Sequence, residues 1–227
     1  MKKISLFALA LSTSMALFAQ NQPQLRTQMA DRPYFGVKGG VNLANLRQEN
    51  LAMRTSIDGK TSFHGGFFLN IPLGSNNWSF QPELLYNGQG AKLTTTTPTG
   101  ITGGTTTTVN EWDLNYVSLP LMLKLKSDNG IYLELGPQAS YLIRAKQDAN
   151  GTTGEMDIKN QFDKFDVAAN GGIGWVSRAG FGIGARYSHG LSNILEDGGG
   201  NNSPNQGPEL KNSTFQIGLF YMFGAGK

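Results

Sequence analysis

One pattern governs what this chain can fold into. From Phe35 to Phe223 its apolar residues recur at every second position rather than every third or fourth. Successive side chains of a strand point to opposite faces, so this alternation makes strands with one apolar and one polar face. Eight segments carry it. Their apolar faces open at Phe35, Phe63, Trp78, Val117, Ile131, Phe165, Phe181 and Phe215, and close at Leu43, Ile71, Tyr86, Leu125, Ile143, Trp175, Leu191 and Phe223. On that face every position is apolar except Gly39, Gly65, Gly171 and His189. The fourth segment breaks step: Trp112, Leu114 and Tyr116 alternate in the opposite phase to Val117 onward. That predicts a bulge or a shorter strand there.

The connections alternate as well. Tight links at 72–77, 126–130 and 176–180 interleave with long ones at 44–62, 87–116, 144–164 and 192–214. Short turns on one side and long loops on the other are the signature of an up-and-down outer-membrane barrel. An even strand number returns both termini to the turn side. The predicted fold is therefore all-β: an eight-stranded antiparallel up-and-down transmembrane β-barrel. The rival is a soluble secreted barrel of lipocalin type with its faces reversed.

Composition agrees and excludes other classes. Only 15% of the 227 residues are charged, yet only 39% are apolar, and mean hydropathy is −0.28. Helical membrane proteins need long apolar runs, and charged disordered tails need charge. A formal charge of +3 is too small for a nucleic-acid binder. With no cysteine, disulfides, thiolate nucleophiles, Cys-ligated zinc and Cys-linked lipid are excluded.

Met1-Lys2-Lys3, the apolar run from Ile4 to Ala19 and the polar stretch from Gln20 have the shape of a secretory signal peptide. The expected organisation is a signal at 1–19, a flexible periplasmic lead-in at 20–33 and a barrel domain at 34–224. Loss of Lys2 and Lys3 lowers the formal charge to +1, so the basic pI points to no partner.

Three features place the apolar face outward. Aromatics gather at strand ends on that face, among them Phe35, Trp78, Tyr86, Trp175 and Tyr187, as interfacial girdles do. The other face is rich in glycine, which suits a crowded interior. Its charges are few and balanced: Lys38, Lys124 and Arg186 against Glu83, Glu134 and Asp166. Eight strands leave a lumen that side chains just fill. These charges, with His64, Asn70, Gln81, Gln138 and Asn170, are expected to form a buried ion-pair and hydrogen-bond network. Such a network reads first as a polar plug, and second as a gated narrow conduit.

The last segment, Gln216-Ile217-Gly218-Leu219-Phe220-Tyr221-Met222-Phe223, resembles the β-signal read by the outer-membrane assembly machinery. Gln216, Gly218, Tyr221 and Phe223 carry the pattern. An edge strand of this kind is captured by β-augmentation. Several short motifs, in order, are similar to one family: Gln81-Pro82-Glu83-Leu84-Leu85-Tyr86, Tyr116-Val117-Ser118-Leu119-Pro120-Leu121, Ala185-Arg186-Tyr187-Ser188-His189-Gly190-Leu191 and Tyr221-Met222-Phe223-Gly224. Together they resemble the PorT-like outer-membrane β-barrel family of Bacteroidota. The resemblance implies an outer-membrane barrel and little about activity.

Candidates for chemistry are few. His189, Ser192 and Glu196 lie near the loop end, where a lipid A-modifying enzyme would place a base, a hydroxyl and an orienting acid. Their spacing differs from the His-x-Ser of a lipid A deacylase, and an interfacial histidine is the simpler reading. Asp148-Ala149-Asn150-Gly151-Thr152 lacks the rest of a calcium loop and reads as a turn. The threonine-rich stretch around 94–108 reads as an extended β-hairpin above the membrane. No catalytic residue, metal site or cofactor is expected. The expected partners are outer-membrane lipid and lipopolysaccharide, the assembly machinery and a surface ligand bound through the loops. Nucleic acid is excluded, and the chain is expected to be a monomer. The expected role is structural or surface-interactive, with a narrow porin or a transport or secretion accessory as the alternative.

Overall fold

Alternating segments with an even count can pair every backbone group if the sheet closes on itself, which is what lipid demands. A computed structural model describes residues 32–49, 56–74, 77–99, 104–149, 156–194 and 209–224. The signal peptide and nearly all of the lead-in lie outside the described residues. The strands are β1 Tyr34–Glu49, β2 Ser56–Pro72, β3 Trp78–Thr99, β4 Gly104–Lys126, β5 Ile131–Ala149, the two-residue β6 Met156–Asp157, β7 Phe165–Val176, β8 Phe181–Gly190 and β9 Glu209–Met222. All but β6 form the wall. Each pairs antiparallel with its neighbours, and β9 returns to pair with β1 from Gly36↔Met222 to Glu49↔Glu209. This is a closed eight-stranded up-and-down barrel with no free wall edge.

Two tight turns repeat one design. Ser127 N–H donates to Ile131 O at 2.7 Å, and Ser177 N–H donates to Phe181 O at 2.7 Å. Gly130 and Gly180 close these turns at φ 87° and 90°, the left-handed region that glycine enters without strain. Both lie at the end where β1 begins and β9 stops, hereafter the turn end.

Outward and inward faces are inverted relative to a soluble protein. Phe63, Leu135 and Leu219 are 62%, 69% and 66% exposed, while Glu83, Arg186 and Asn170 are buried. An apolar band encircling the whole wall marks a lipid contact. Aromatics bound it at both ends. At the turn end stand Phe35, Trp78, Trp175, Phe181, Tyr221 and Phe223, with Phe35 stacked on Phe223 at 5.9 Å. At the loop end stand Phe63 stacked on Tyr86 at 5.3 Å, Tyr141 edge-on to Phe165 at 5.2 Å, and Tyr187.

The expected break in the fourth segment is not in that strand. β4 runs unbroken for 23 residues, and Leu114, Tyr116, Ser118, Met122 and Lys124 all face inward in one phase. The lumen changes character, not the strand. The irregularity is in β5, where Asn115 faces Arg144 but Tyr116 faces Leu142, leaving Ile143 as a bulge.

Much of the expected long loops is also strand. The hairpin of β3 and β4 pairs out to Thr99↔Gly104, as the threonine-rich stretch suggested. A membrane crossing needs about 9–11 residues per tilted strand. β8 has 10, whereas β4 has 23. Thus β1 to β5 and β9 rise well above the apolar band, while β7 and β8 stop near its loop end. Irregular segments bridge the gap: Ile158 N–H donates to Ala145 O at 3.2 Å, Asp163 N–H to Ile194 O at 2.9 Å and Ile194 N–H to Leu210 O at 2.9 Å. The result is a collar above the membrane.

Candidate functional site

The lumen is layered, and each layer follows from which inward positions the sequence fills. At the turn end Phe68, Tyr132 and Phe220 meet, with ring centroids 5.9 and 6.0 Å apart. Lys124 Nζ lies 4.2 Å from the centre of the Tyr132 ring, a cation–π contact. Glycines make room for these rings: a Cβ on Gly36 would strike Phe68, and one on Gly182 would strike Phe220.

Above the rings is an ionic layer built from five strands. Arg186 of β8 donates from Nη1 and Nη2 to both oxygens of Glu83 on β3, each at 2.8 Å, and from Nε to Glu134 of β5 at 2.7 Å. Lys38 of β1 lies 3.1 Å from Glu83, and Lys124 of β4 lies 3.1 Å from Glu134. Gln81 donates to Glu83 at 2.7 Å and receives a hydrogen bond from Asn70 at 3.2 Å. Fork-to-carboxylate geometry of this kind gives the strongest side-chain hydrogen bonds, and it is what lets buried charges persist.

An amide and hydroxyl layer follows. Asn42 donates to Asn87 Oδ1 and to Gly88 O, both at 2.7 Å. The oxygen of Asn42 therefore faces His64 Nδ1 at 2.7 Å, so Nδ1 carries the proton. Gln216 donates to Asn42 and Asn87 at 3.2 Å. Ser118 and Ser140 are 2.9 Å apart, and Asn170 donates to Gln138 at 3.1 Å.

Six of the seven charged or histidine positions singled out from sequence thus meet in one region: Lys38, His64, Glu83, Lys124, Glu134 and Arg186. Asp166 does not join them. Its carboxylate accepts from Ser192 Oγ at 2.7 Å and Asn212 Nδ2 at 2.8 Å, nearer the loop end. The sequence reading missed Asn42, Asn87, Ser118 and Ser140. Asn87 lies just beyond the segment that closes at Tyr86, whereas Asn42, Ser118 and Ser140 sit on the polar face within recognised segments and carry no charge to mark them. Gln216 and Gly218 of the last segment face the lumen, whereas Tyr221 and Phe223 lie on the outer wall.

An apolar cover closes the loop end. Leu46, Ala91, Leu114, Tyr116, Leu142, Ala145, Ile158, Phe162, Ile194 and Leu210 form one buried cluster, with Trp112 edge-on to Phe162 at 5.4 Å. Burying each large side chain stabilises by roughly 1.5–3 kcal/mol. Within the ionic layer a cavity of about 20 Å³ remains. That holds a water-sized guest and is no channel.

The histidine–serine candidate is taken apart by geometry. Arg47 Nη1 lies 3.0 Å from His189 Nδ1 on the outer wall, while the Ser192 hydroxyl donates to Asp166. Glu196 lies outside the described residues.

No curated protein matches this chain. Among solved structures, Neisserial surface protein A superposes with a TM-score of 0.50 at 9% identity, over 83% of this chain and 97% of that one. Ail, the attachment invasion locus protein of Yersinia pestis, does so with 0.46 at 14%, over 84% and 98%. The outer membrane protein OprG of Pseudomonas aeruginosa does so with 0.42 at 11%, over 85% and 97%. At such identities the first of these likenesses speaks for the fold alone. Residues 18–196 match the outer membrane protein beta-barrel domain family, so the chain belongs to that family and is an integral β-barrel protein of the outer membrane.

Proposed function

We propose that this protein is a sealed surface pedestal: a plugged membrane barrel that holds a rigid extracellular collar and binds a surface partner through the loops above it. One observation carries the reading. Six wall strands continue past the lipid-facing band and close over an apolar core, which a conduit would have no use for. The ionic and amide layers beneath fill the lumen as a plug.

The finer parts of the proposal have their own support. Signal cleavage near Ala19, a lead-in at 20–33 and a barrel domain at 34–224 rest on the sequence pattern. Kinship with PorT-like barrels of Bacteroidota rests on the order of the quoted motifs. A monomer is favoured because every wall strand finds both neighbours within the chain. Recognition of Gln216, Gly218, Tyr221 and Phe223 by the assembly machinery suits β9, the strand that closes the barrel on β1. Contact with lipid and lipopolysaccharide suits the girdle of Phe35, Trp78, Tyr86, Trp175 and Tyr187. A role without catalysis suits the commitment of Ser192 to Asp166.

Crosslinking and pull-down from intact cells tests the reading, using the full chain beside a variant lacking residues 95–108. The full chain should capture a surface partner that the shortened hairpin loses. Purified protein should give no conductance in planar bilayers. Conductance steps that vanish on substituting Arg186 or Glu134 would overturn the pedestal in favour of a narrow porin.

A further inference from the structure

The ionic layer does not balance its own charge. Lys38, Lys124 and Arg186 bring three positive charges, and Glu83 and Glu134 bring two negative ones. His64 donates through Nδ1 to the uncharged Asn42 amide and so adds no negative charge to the layer. Among the described residues the third carboxylate buried in the lumen is Asp166, and it is distant. β7 carries it six residues from Gly172, the position paired with Arg186, which is about 20 Å along a strand. Its oxygens are taken by Ser192 and Asn212. Among the described residues one positive charge is thus left over inside a wall surrounded by lipid, where an uncompensated ion is costly.

The cavity lies where that excess is. Lys38, His64, Tyr132, Arg186 and Gln216 line it together with the carboxylate of Glu134, whose charge is already met by Arg186 and Lys124, and Gly184 and Gly218 leave it open by having no side chains. Donors are in surplus around it. Arg186 has five N–H groups and spends three on carboxylates. Lys38 has three and, among the described residues, directs its ammonium at Glu83. The Tyr132 hydroxyl adds another. A cation would be repelled by Lys38 and Arg186, and an organic anion exceeds the space.

We propose that this cavity is a binding site for one small monovalent anion, chloride in practice, held between Lys38, Arg186 and Tyr132. The anion neutralises the ionic layer and joins β1, β5 and β8 through a single guest. The site makes the plug a salt-assembled element of the barrel, and it stands whether or not the loops bind a partner.

Crystals of the purified full-length protein soaked in bromide test the site directly. An anomalous peak in the cavity between Lys38 and Arg186 is expected. In parallel, the temperature at which the folded band converts to the unfolded band in electrophoresis should be higher in chloride or bromide than in gluconate. Lys38→Met removes the excess charge while Glu83 keeps its Arg186 fork. It should weaken bromide binding by about tenfold or more, the loss of one charge-assisted hydrogen bond. Tyr132→Phe keeps the ring and should weaken binding less. An empty cavity in the wild-type crystal with equal midpoints in chloride and gluconate overturns the proposal, whether or not the variants fold. So does a bromide peak undiminished in Lys38→Met.

Discussion

The membrane half and the collar share strands but invert each other. Within the lipid band the wall is apolar outside and polar inside. Above it, Leu46, Leu114 and Phe162 turn inward, while Lys60, Glu111 and Asp113 pair across the outer wall. β4 holds its phase through the change, keeping its even-numbered residues inward from Leu114 to Lys124, while β5 shifts phase at the Ile143 bulge. The solvent on each side decides which chemistry each face takes, and one continuous strand serves both. The difference should also show in how each half fails. A polar lumen fails by losing a partner charge, and an apolar cover fails by gaining a void.

The largest effect is expected in the membrane half. Arg186→Met leaves Lys38 as the cation on Glu83, beside the Gln81 amide, and Lys124 as the cation on Glu134. Breaking a buried pair in this way costs about 3–5 kcal/mol. The folded band in electrophoresis should convert at a much lower temperature, and the collar should go with it. Retention of the wild-type midpoint would show that the ionic layer carries no structural weight.

Phe162→Ala tests the other half. Truncating a fully buried phenylalanine costs about 3–5 kcal/mol, but here the loss is confined to the cover. Amide exchange should rise around Ile158–Phe162, Ile194 and Leu210, while the membrane strands keep their protection. If both halves loosen together, the collar is not a separate cooperative unit.

The contrast also marks how far the sequence could be read. Alternation revealed the wall because lipid imposes one rule on every outward position. The charges of the lumen were legible for the same reason: Arg186 interrupts otherwise small inward residues, and Glu134 stands out as a carboxylate opposite an unbroken apolar face. The collar was not legible. There the outward residues are polar and the inward ones apolar, so Trp112, Leu114 and Tyr116 read as a strand out of phase. A bulge at Ile143 gave no signal, since Ile143 and Tyr141 both read as wall. Asp166 looked like one more lumen charge because phase reports the face of a residue and not its height. The neighbours of Asp166 are Ser192 and Asn212, which come from outside its own segment.

Two glycines on β7 sharpen the contrast between the faces at smaller cost. A Cβ on Gly174 would fall against the Tyr132 hydroxyl and 2.5 Å from the Ile183 carbonyl oxygen. Gly171 faces outward with nothing within 4 Å. Gly174→Ala should destabilise by about 1–3 kcal/mol through overpacking. Gly171→Ala should be neutral or stabilising by roughly 0.5–1 kcal/mol, since glycine is a poor strand residue. Refolding into detergent micelles followed by thermal unfolding separates the two. Equal losses would place Gly171 against protein rather than lipid.

The smallest effect belongs to the outer wall of the collar. Lys60 of β2 reaches across β3 to Glu111 at 2.8 Å and to Asp113, and Lys92 lies 3.3 Å from Glu111. Burial works against the Lys60 charge, but its hydrogen bonds to Asp113 and Glu111 hold the ammonium above the usual lysine range. The same contact with Lys60 holds the Glu111 carboxyl below the usual carboxylate range. The signs differ. Stability from Glu111 is complete above the ordinary carboxylate pKa and is lost as pH falls through its depressed value. Stability from Lys60 is complete below the ordinary lysine pKa and is lost as pH rises through its raised value. The network is therefore intact from roughly pH 5 to pH 10. Because Glu111 and Asp113 are partly solvated, it contributes under about 1 kcal/mol. Amide exchange along β2 to β4 above the band, corrected for intrinsic rates, should loosen slightly on acidification. Glu111→Gln should show much of that loosening already at neutral pH and respond less to acid. The electrophoretic midpoint of the barrel should not move in either case, because these charges stand outside the lumen and above the lipid. A midpoint that falls with Glu111→Gln would mean that collar and membrane half melt as one.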